Sequence, residues 1–276
     1  LLGTLLFQPV GFCTRERVTA PPAEKRSLCQ NLTEMWRIQS YRRILLSGLL
    51  RTPTGLMNLL QMTVLSYYFG NNGRTPYVHY MLLLGIPAFL GQLIAAGAAP
   101  KLADKHGAAN TFAKANVLAG LALLAAFALF LCRPQQLTQA MPFTLLILLL
   151  FCNMFCCGLV NTVQSILIAD VADQTEKESG IRRDGIFVSG QSLLIKLSTG
   201  VSALLQGLVF AISGFSGTAV SQINRTLYAG ADFATDPSFA APRFAMFFLF
   251  LCLPGIAYLL SALPYRKSRN SHRVPE

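Results

Sequence analysis

Lys196 places the heaviest demand on its surroundings. It lies about ten residues into the apolar run Ile186–Gly214, roughly 15 Å deep at about 1.5 Å per residue if that run is helical. A charge at such depth costs at least about 2.5–3.5 kcal/mol, so it must face water, a carboxylate or a ligand. Ser189, Ser192, Lys196, Thr199, Ala203 and Gln206 step by three and four along the same run, which puts them on one helix face. Ser47, Arg51, Thr54, Asn58 and Gln61 form a second such stripe, and Asn153, Cys157, Asn161 and Gln164 a third. Rows of hydroxyls and amides suit a polyhydroxylated solute. They also serve as hydrogen-bonding glue between helices in a membrane. No Asp or Glu lies in the core of any apolar run, so Lys196 must take its counter-charge from elsewhere. Arg51, about two turns from its end of the run, is shallow enough to snorkel.

Other chemistries fit less well. Asp170 and Asp173, three residues apart, could hold Mg²⁺ for an intramembrane transferase, but such a site needs ligands from a second segment and none is visible. No Ser/His/Asp set stands out among the three histidines, His79, His106 and His272. Cys152, Cys156 and Cys157 have no His or second Cys pair beside them, so neither a metal site nor a disulfide framework is indicated. The protein reads as a non-enzyme with no resident cofactor.

The elements that must position these residues follow from composition. Of 276 residues, 53% are hydrophobic and 13% charged, with a mean hydropathy of +0.48. An ordinary soluble domain carries about 25% charge; this surface is built for lipid. Six apolar runs, near Leu45–Phe69, Tyr77–Ala99, Thr111–Leu131, Met141–Ala169, Ile186–Gly214 and Phe244–Leu263, are each long enough to cross a bilayer, which takes about 20 residues. The third and sixth are nearly free of polar side chains and suit contact with lipid. Seventeen of the 23 Lys and Arg fall on one side of these runs and four on the other, with Arg51 and Lys196 inside them. That asymmetry puts both ends of the chain in the cytoplasm of a multi-pass cell-membrane protein. It also accounts for the net charge of +11 without a nucleic-acid partner. Residues 1–13 are apolar but too short to span and read as the tail of a preceding membrane helix. Residues 14–43 read as a cytoplasmic loop, 44–264 as a six-helix bundle and 265–276 as a basic tail. Two three-helix repeats of this kind make one half of a transporter.

Local motifs sharpen the picture. The fourth run leads from Gln164 into Asp170 and Asp173. The next stretch reads Gly180, Ile181, Arg182, Arg183, Asp184, Gly185, and the fifth run opens with Gln191, Ser192 and then Lys196. This resembles the glycoside–pentoside–hexuronide:cation symporter family, the melibiose-permease branch of the major facilitator superfamily. Tyr67-Tyr68-Phe69 and the stretch from Pro100 to Gly107 agree with it, and the resemblance covers about residues 15–265. It implies an all-α membrane fold of twelve helices, of which this chain would be the C-terminal six. It also implies alternating-access symport of a sugar or glycoside with sodium or protons. By the same resemblance the cation carboxylates lie on the N-terminal six helices, a partner this chain lacks, while Lys196 and Ser192 stand near the cation and sugar. Asn161 falls where the melibiose permease stacks a Trp on sugar, so an aromatic platform is missing. Asn58, Gln61, Gln164, Thr199 and Arg51 complete the candidate binding or coupling set. Asp170, Asp173, Arg182, Arg183 and Asp184 would form a cytoplasmic gate in the loop after the fourth run. The same fold carrying an amphipathic or non-sugar solute is the alternative cargo.

Overall fold

The computed structural model describes residue 33 and residues 36–73, 76–180, 184–212 and 217–266. Apart from residue 33 these belong to one compact unit, residues 35–276. The expected helix tail 1–13, most of the loop 14–43, Arg182, Arg183 and nearly all of the basic tail lie outside the described residues.

The regular structure described is helical. Helix α1 (Gln39–Leu50) and α2 (Gly55–Val64) are joined by a 3-10 turn, Thr52–Thr54, and α2 continues into a π turn, Leu65–Phe69. Next come α3 (Val78–His106), α4 (Ala108–Cys132), α5 (Ala140–Ser179), α6 (Asp184–Ile212) and α7 (Gly217–Tyr228). The last segment is α8 (Ala240–Phe247), a π turn (Phe248–Cys252), α9 (Leu253–Ser261) and the short α10 (Leu263–Arg266). Five stretches are long and apolar enough to cross a membrane: Val78–His106, Ala108–Cys132, Ala140–Glu178, Phe187–Ile212 and Pro237–Tyr265.

The first expected span is present as two helices, and the break has a chemical cause. Pro53 has no N–H to give the Leu49 carbonyl one turn back. The Thr52 hydroxyl donates to that carbonyl instead, at 2.8 Å. Ser198 and Ser202 of α6 then donate to the Thr52 carbonyl, at 2.8 and 2.9 Å. In lipid, backbone groups freed by a kink must find partners of this kind.

Helices extend past the boundaries that charge suggested. α1 begins inside the stretch assigned to a loop, α3 runs through Lys101–His106, and α5 carries Asp170 and Asp173 on helix rather than in a loop. A short helix, α7, occupies part of the expected loop 215–243. Charges mark where the membrane ends, and these residues remain compatible with helix beyond it. At 40 residues, α5 is about 60 Å long, twice the hydrocarbon thickness of about 30 Å. It stops at Gly180, whose φ of 70° is the left-handed cap that favours glycine.

Packing adds to one expectation. The third and sixth apolar runs, read as lipid-facing, keep exposed outer faces at Leu118, Leu121, Ile256 and Leu260, but they are also the most buried on their inner faces: half of the most apolar window of α4 and 56% of that of Pro237–Tyr265 lie inside the bundle, against 11% for α3 and 6% for α6. Small residues explain this. Gly120 of α4 lies so close to α9 that a Cβ there would sit 2.7 Å from the Gly255 carbonyl oxygen. The buried residues of α3 are Gly91, Ala95, Ala99 and Ala103 alone, a one-face stripe whose Ala95 abuts Gly158 of α5. An aromatic core of Tyr68, Phe69, Phe130, Phe143 and Phe247 fills one end of the bundle, and a second cluster around Tyr41, Phe112, Val163 and Phe187 fills the other.

Candidate functional site

The kink at Thr52–Thr54 opens one side of the bundle. A cavity of about 370 Å³ lies there, walled by residues of α1, the turn, α2, α3, α5, α6 and α9. Arg51, Asn58, Asn161, Gln164 and Thr199 of the candidate set all line it. Because α1 starts at Gln39, Arg51 sits about 18 Å along the helical path. It does not snorkel: its Nη2 donates to Gln164 Oε1 at 2.6 Å, and its Nη1 is buried with no hydrogen-bond partner. A buried donor left unmade costs about 1–3 kcal/mol, more when charged. Among the described residues no Asp or Glu lines the cavity.

The remaining candidates lie elsewhere. The cavity face of α6 carries Gln191, Leu194, Ile195, Ser198 and Thr199, so Ser192 and Lys196 stand beside it on the exposed face of the helix. No hydrogen bond or ion pair reaches Lys196 among the described residues. Gln61 lines a separate, largely apolar cavity with Asn58, Met57 and Phe69. Of the third stripe, Asn153 turns away, its Nδ2 donating to the Ala119 carbonyl at 3.2 Å. Ser47 also turns inward, donating to the Ser261 carbonyl at 2.7 Å, and Ser261 donates in turn to Asn116 Oδ1 at 2.9 Å.

The proposed gate residues are split. Asp170 lines a polar cavity at the far end of α5 together with Ser40, Arg43 and Gln174. Asp173 is exposed one turn on, and Asp184 opens α6. At the opposite end, Asn224 Oδ1 accepts from Tyr67 Oη at 3.1 Å and from Asn72 Nδ2 at 2.9 Å, tying α7 to the turn after α2. Asn71 and Asn72 both hold φ near +50° in that turn, a region asparagine tolerates better than most residues.

Tyr258 and Ser198 are cavity residues that the stripe analysis missed. Tyr258 Oη donates to Cys157 Sγ at 3.3 Å from a span read as featureless. The available signal was that Tyr258 and Cys252 alone interrupt that run, and a tyrosine hydroxyl inside a membrane needs a partner. Ser198 was hidden because the polar stripe on α6 runs through Lys196, two residues and about 200° around the helix from it.

The described residues thus form a bundle of membrane-length apolar helices with a kinked first segment and a polar cavity beside the kink. Residues 1–267 match the family described as MFS/sugar transport protein, and the chain belongs to that family. This bears out the family resemblance seen in the motifs around Asp170 and Lys196. The inner membrane symporter YicJ of Escherichia coli (strain K12) is 26% identical over 279 residues, covering 95% of this chain and 51% of that protein. An uncharacterized 29.9 kDa protein in the crtE 3' region of Pseudescherichia vulneris is 26% identical over 189 residues, covering 68% of this chain and 62% of its own length. The chain thus spans between half and two thirds of the curated relatives it matches.

Proposed function

We propose that this chain is one six-helix half of a cation-coupled sugar symporter, in which the kinked segment 39–69 supplies the sixth crossing. The other half would cover the exposed faces of α3 and α6. Sugar would bind between the halves, against Asn58, Asn161, Gln164 and Thr199. The observation that carries this reading is the cavity beside the kink: among the described residues its polar lining is mostly amide and hydroxyl, with one partly buried guanidinium and no carboxylate. Amides and hydroxyls both donate and accept, which matches the hydroxyls of a sugar. Lys196, exposed on α6 beside the cavity, is assigned to coupling, with its carboxylate partner and the sodium or proton site on the other half. Charge asymmetry between loops orients both ends of this chain toward the cytoplasm. Asp170, Asp173, Arg182, Arg183 and Asp184 would close that side as a gate.

The test is uptake by the full-length protein in proteoliposomes, over a panel of labelled glycosides, polyols, amino acids and amphipathic solutes, with and without a sodium or proton gradient. Lys196→Ala is expected to abolish gradient-driven accumulation of a sugar while downhill exchange persists. Undiminished accumulation in that variant would remove Lys196 from coupling. Accumulation of only a non-sugar solute would replace the cargo.

A further inference from the structure

A groove of about 630 Å³ runs along the outer face of the bundle between α4 and the α9–α10 end. Val117, Leu118 and Leu121 of α4 face Leu259 and Leu263 across it, and Lys114 and Asn110 stand at its end. Asn110 and Tyr265 also line the polar cavity of about 540 Å³ that holds Ser40, Arg43, Asp170 and Gln174. The apolar groove and the polar cavity therefore meet at a shared partition.

Three features of this arrangement point to one kind of occupant. Lys114 is the last charged residue on α4, and after the buried Asn116 an uninterrupted apolar stretch runs from Val117 to Leu131, so Lys114 marks headgroup depth. It is exposed, and no carboxylate pairs with it among the described residues. Lys114 lines the groove, and Arg43 and Asp170 line the cavity, so among the described residues the two together carry two cations to one carboxylate. Finally, the Tyr265 hydroxyl on the partition is buried without a hydrogen-bond partner, at a level where tyrosines meet headgroups.

We propose that this composite site binds one anionic phospholipid from the leaflet at the basic end of the bundle. Its phosphate pairs with Lys114, its headgroup extends past Asn110 and Tyr265 toward Arg43, and one acyl chain lies along the groove between α4 and α9. The assignment needs only the membrane embedding of the chain and holds whatever cargo is carried.

The experiment is native mass spectrometry of the full-length protein released from nanodiscs of equimolar phosphatidylglycerol and phosphatidylcholine. Phosphatidylglycerol is expected to be retained about fivefold over phosphatidylcholine, the effect of roughly one basic residue near a lipid surface. The double variant Lys114→Gln with Arg43→Gln is expected to bring the ratio to about one. Lys105→Gln, a charge removed at the same end but away from the groove, should leave it unchanged. Equal retention of the two lipids by the unaltered protein, or an unchanged preference in the double variant, would overturn the site. Should that variant not fold, phosphatidylglycerol with a diazirine in its acyl chain is used on the unaltered protein. Cross-links concentrated at residues 110–121 and 259–265 support the site. An even spread over these and the exposed face of α3 rejects it.

Discussion

Helix α6 and the final segment Pro237–Tyr265 are both apolar enough to cross a membrane, with mean hydropathies of 1.7 and 2.2 over their most apolar windows, yet 6% of one window and 56% of the other are buried. Hydropathy does not separate them to that degree; the way they are held does. The final segment reaches α4 through the backbone approach at Gly120 and Gly255, where van der Waals contact is dense. α6 meets the bundle along one strip: Gly48 and Gly55 let Leu194 and Ser202 approach, Leu205, Val209 and Phe210 pack near Leu56, Leu60 and Leu249, and hydrogen bonds run from Ser198 and Ser202 to the Thr52 carbonyl and from Tyr41 Oη to the Phe187 carbonyl at 2.9 Å. The final segment is enclosed, whereas α6 is anchored at the kink and otherwise left open. The open side carries Lys196, Ser192 and the polar cavity. Under the proposed assembly, that is the side the second half covers.

If the closed side rests on backbone proximity, Gly120→Leu should cost it most. Overpacking of this sort costs about 3 kcal/mol, read as a large loss of thermal stability in detergent. Gly85→Leu on α3, where a Cβ meets nothing within 4 Å, should leave stability unchanged, and equal losses would erase the contrast. On the open side, Gln164→Leu removes the hydrogen-bond partner of Arg51. About 2 kcal/mol of stability should go with it, together with most sugar uptake. Smaller still, Ser198→Ala and Ser202→Ala should each cost about 1 kcal/mol. The pair together should cost more than their sum, because the Thr52 carbonyl then has no side-chain donor. Chemical denaturation of the three variants measures this directly.

The smallest effect concerns Asp236, in the loop before the final segment. The Ser238 amide and hydroxyl both donate to its Oδ1, at 2.8 and 2.7 Å, and they hold its carboxyl below the ordinary value of 3.8. With the folded value depressed, the stabilisation is complete above the unfolded value and disappears as pH falls through the folded one. Asp236→Asn should therefore be slightly less stable than the parent above the ordinary carboxyl value of 3.8, and the difference should close as pH falls below it. A difference that grows on acidification would reverse the sign.

The helical class and the membrane were legible from apolar run length and charge balance, and the family from the motifs at Gln164–Asp173 and Gln191–Lys196. Five of the eight candidate binding or coupling residues line one cavity because steps of three and four identify a helix face without tertiary knowledge. What stayed hidden depends on packing. Ser47 and Asn153 satisfy each test for a polar stripe, yet they spend their hydrogen bonds on neighbouring carbonyls. Pro53 signalled a bend, but not that Thr52 and two serines of α6 would repair it. The exposed face of α4 was legible as apolar, but its close packing on α9 was not, because hydropathy is blind to the Ala and Gly spacing that lets helices approach. Helix ends at Asp170 to Ser179 were misplaced because charge reports the membrane edge and leaves the backbone free to continue.

The most direct test of the central claim, that cargo binds in the cavity beside the kink, is protection of Asn161→Cys in the full-length protein. Labelling by a soluble thiol reagent would be quantified at that position by peptide mass spectrometry, with Lys105→Cys at the exposed end of α3 as control. The glycoside that drives uptake in proteoliposomes is predicted to slow labelling at position 161 and leave position 105 unaffected. Equal labelling of position 161 with and without saturating glycoside would contradict the claim.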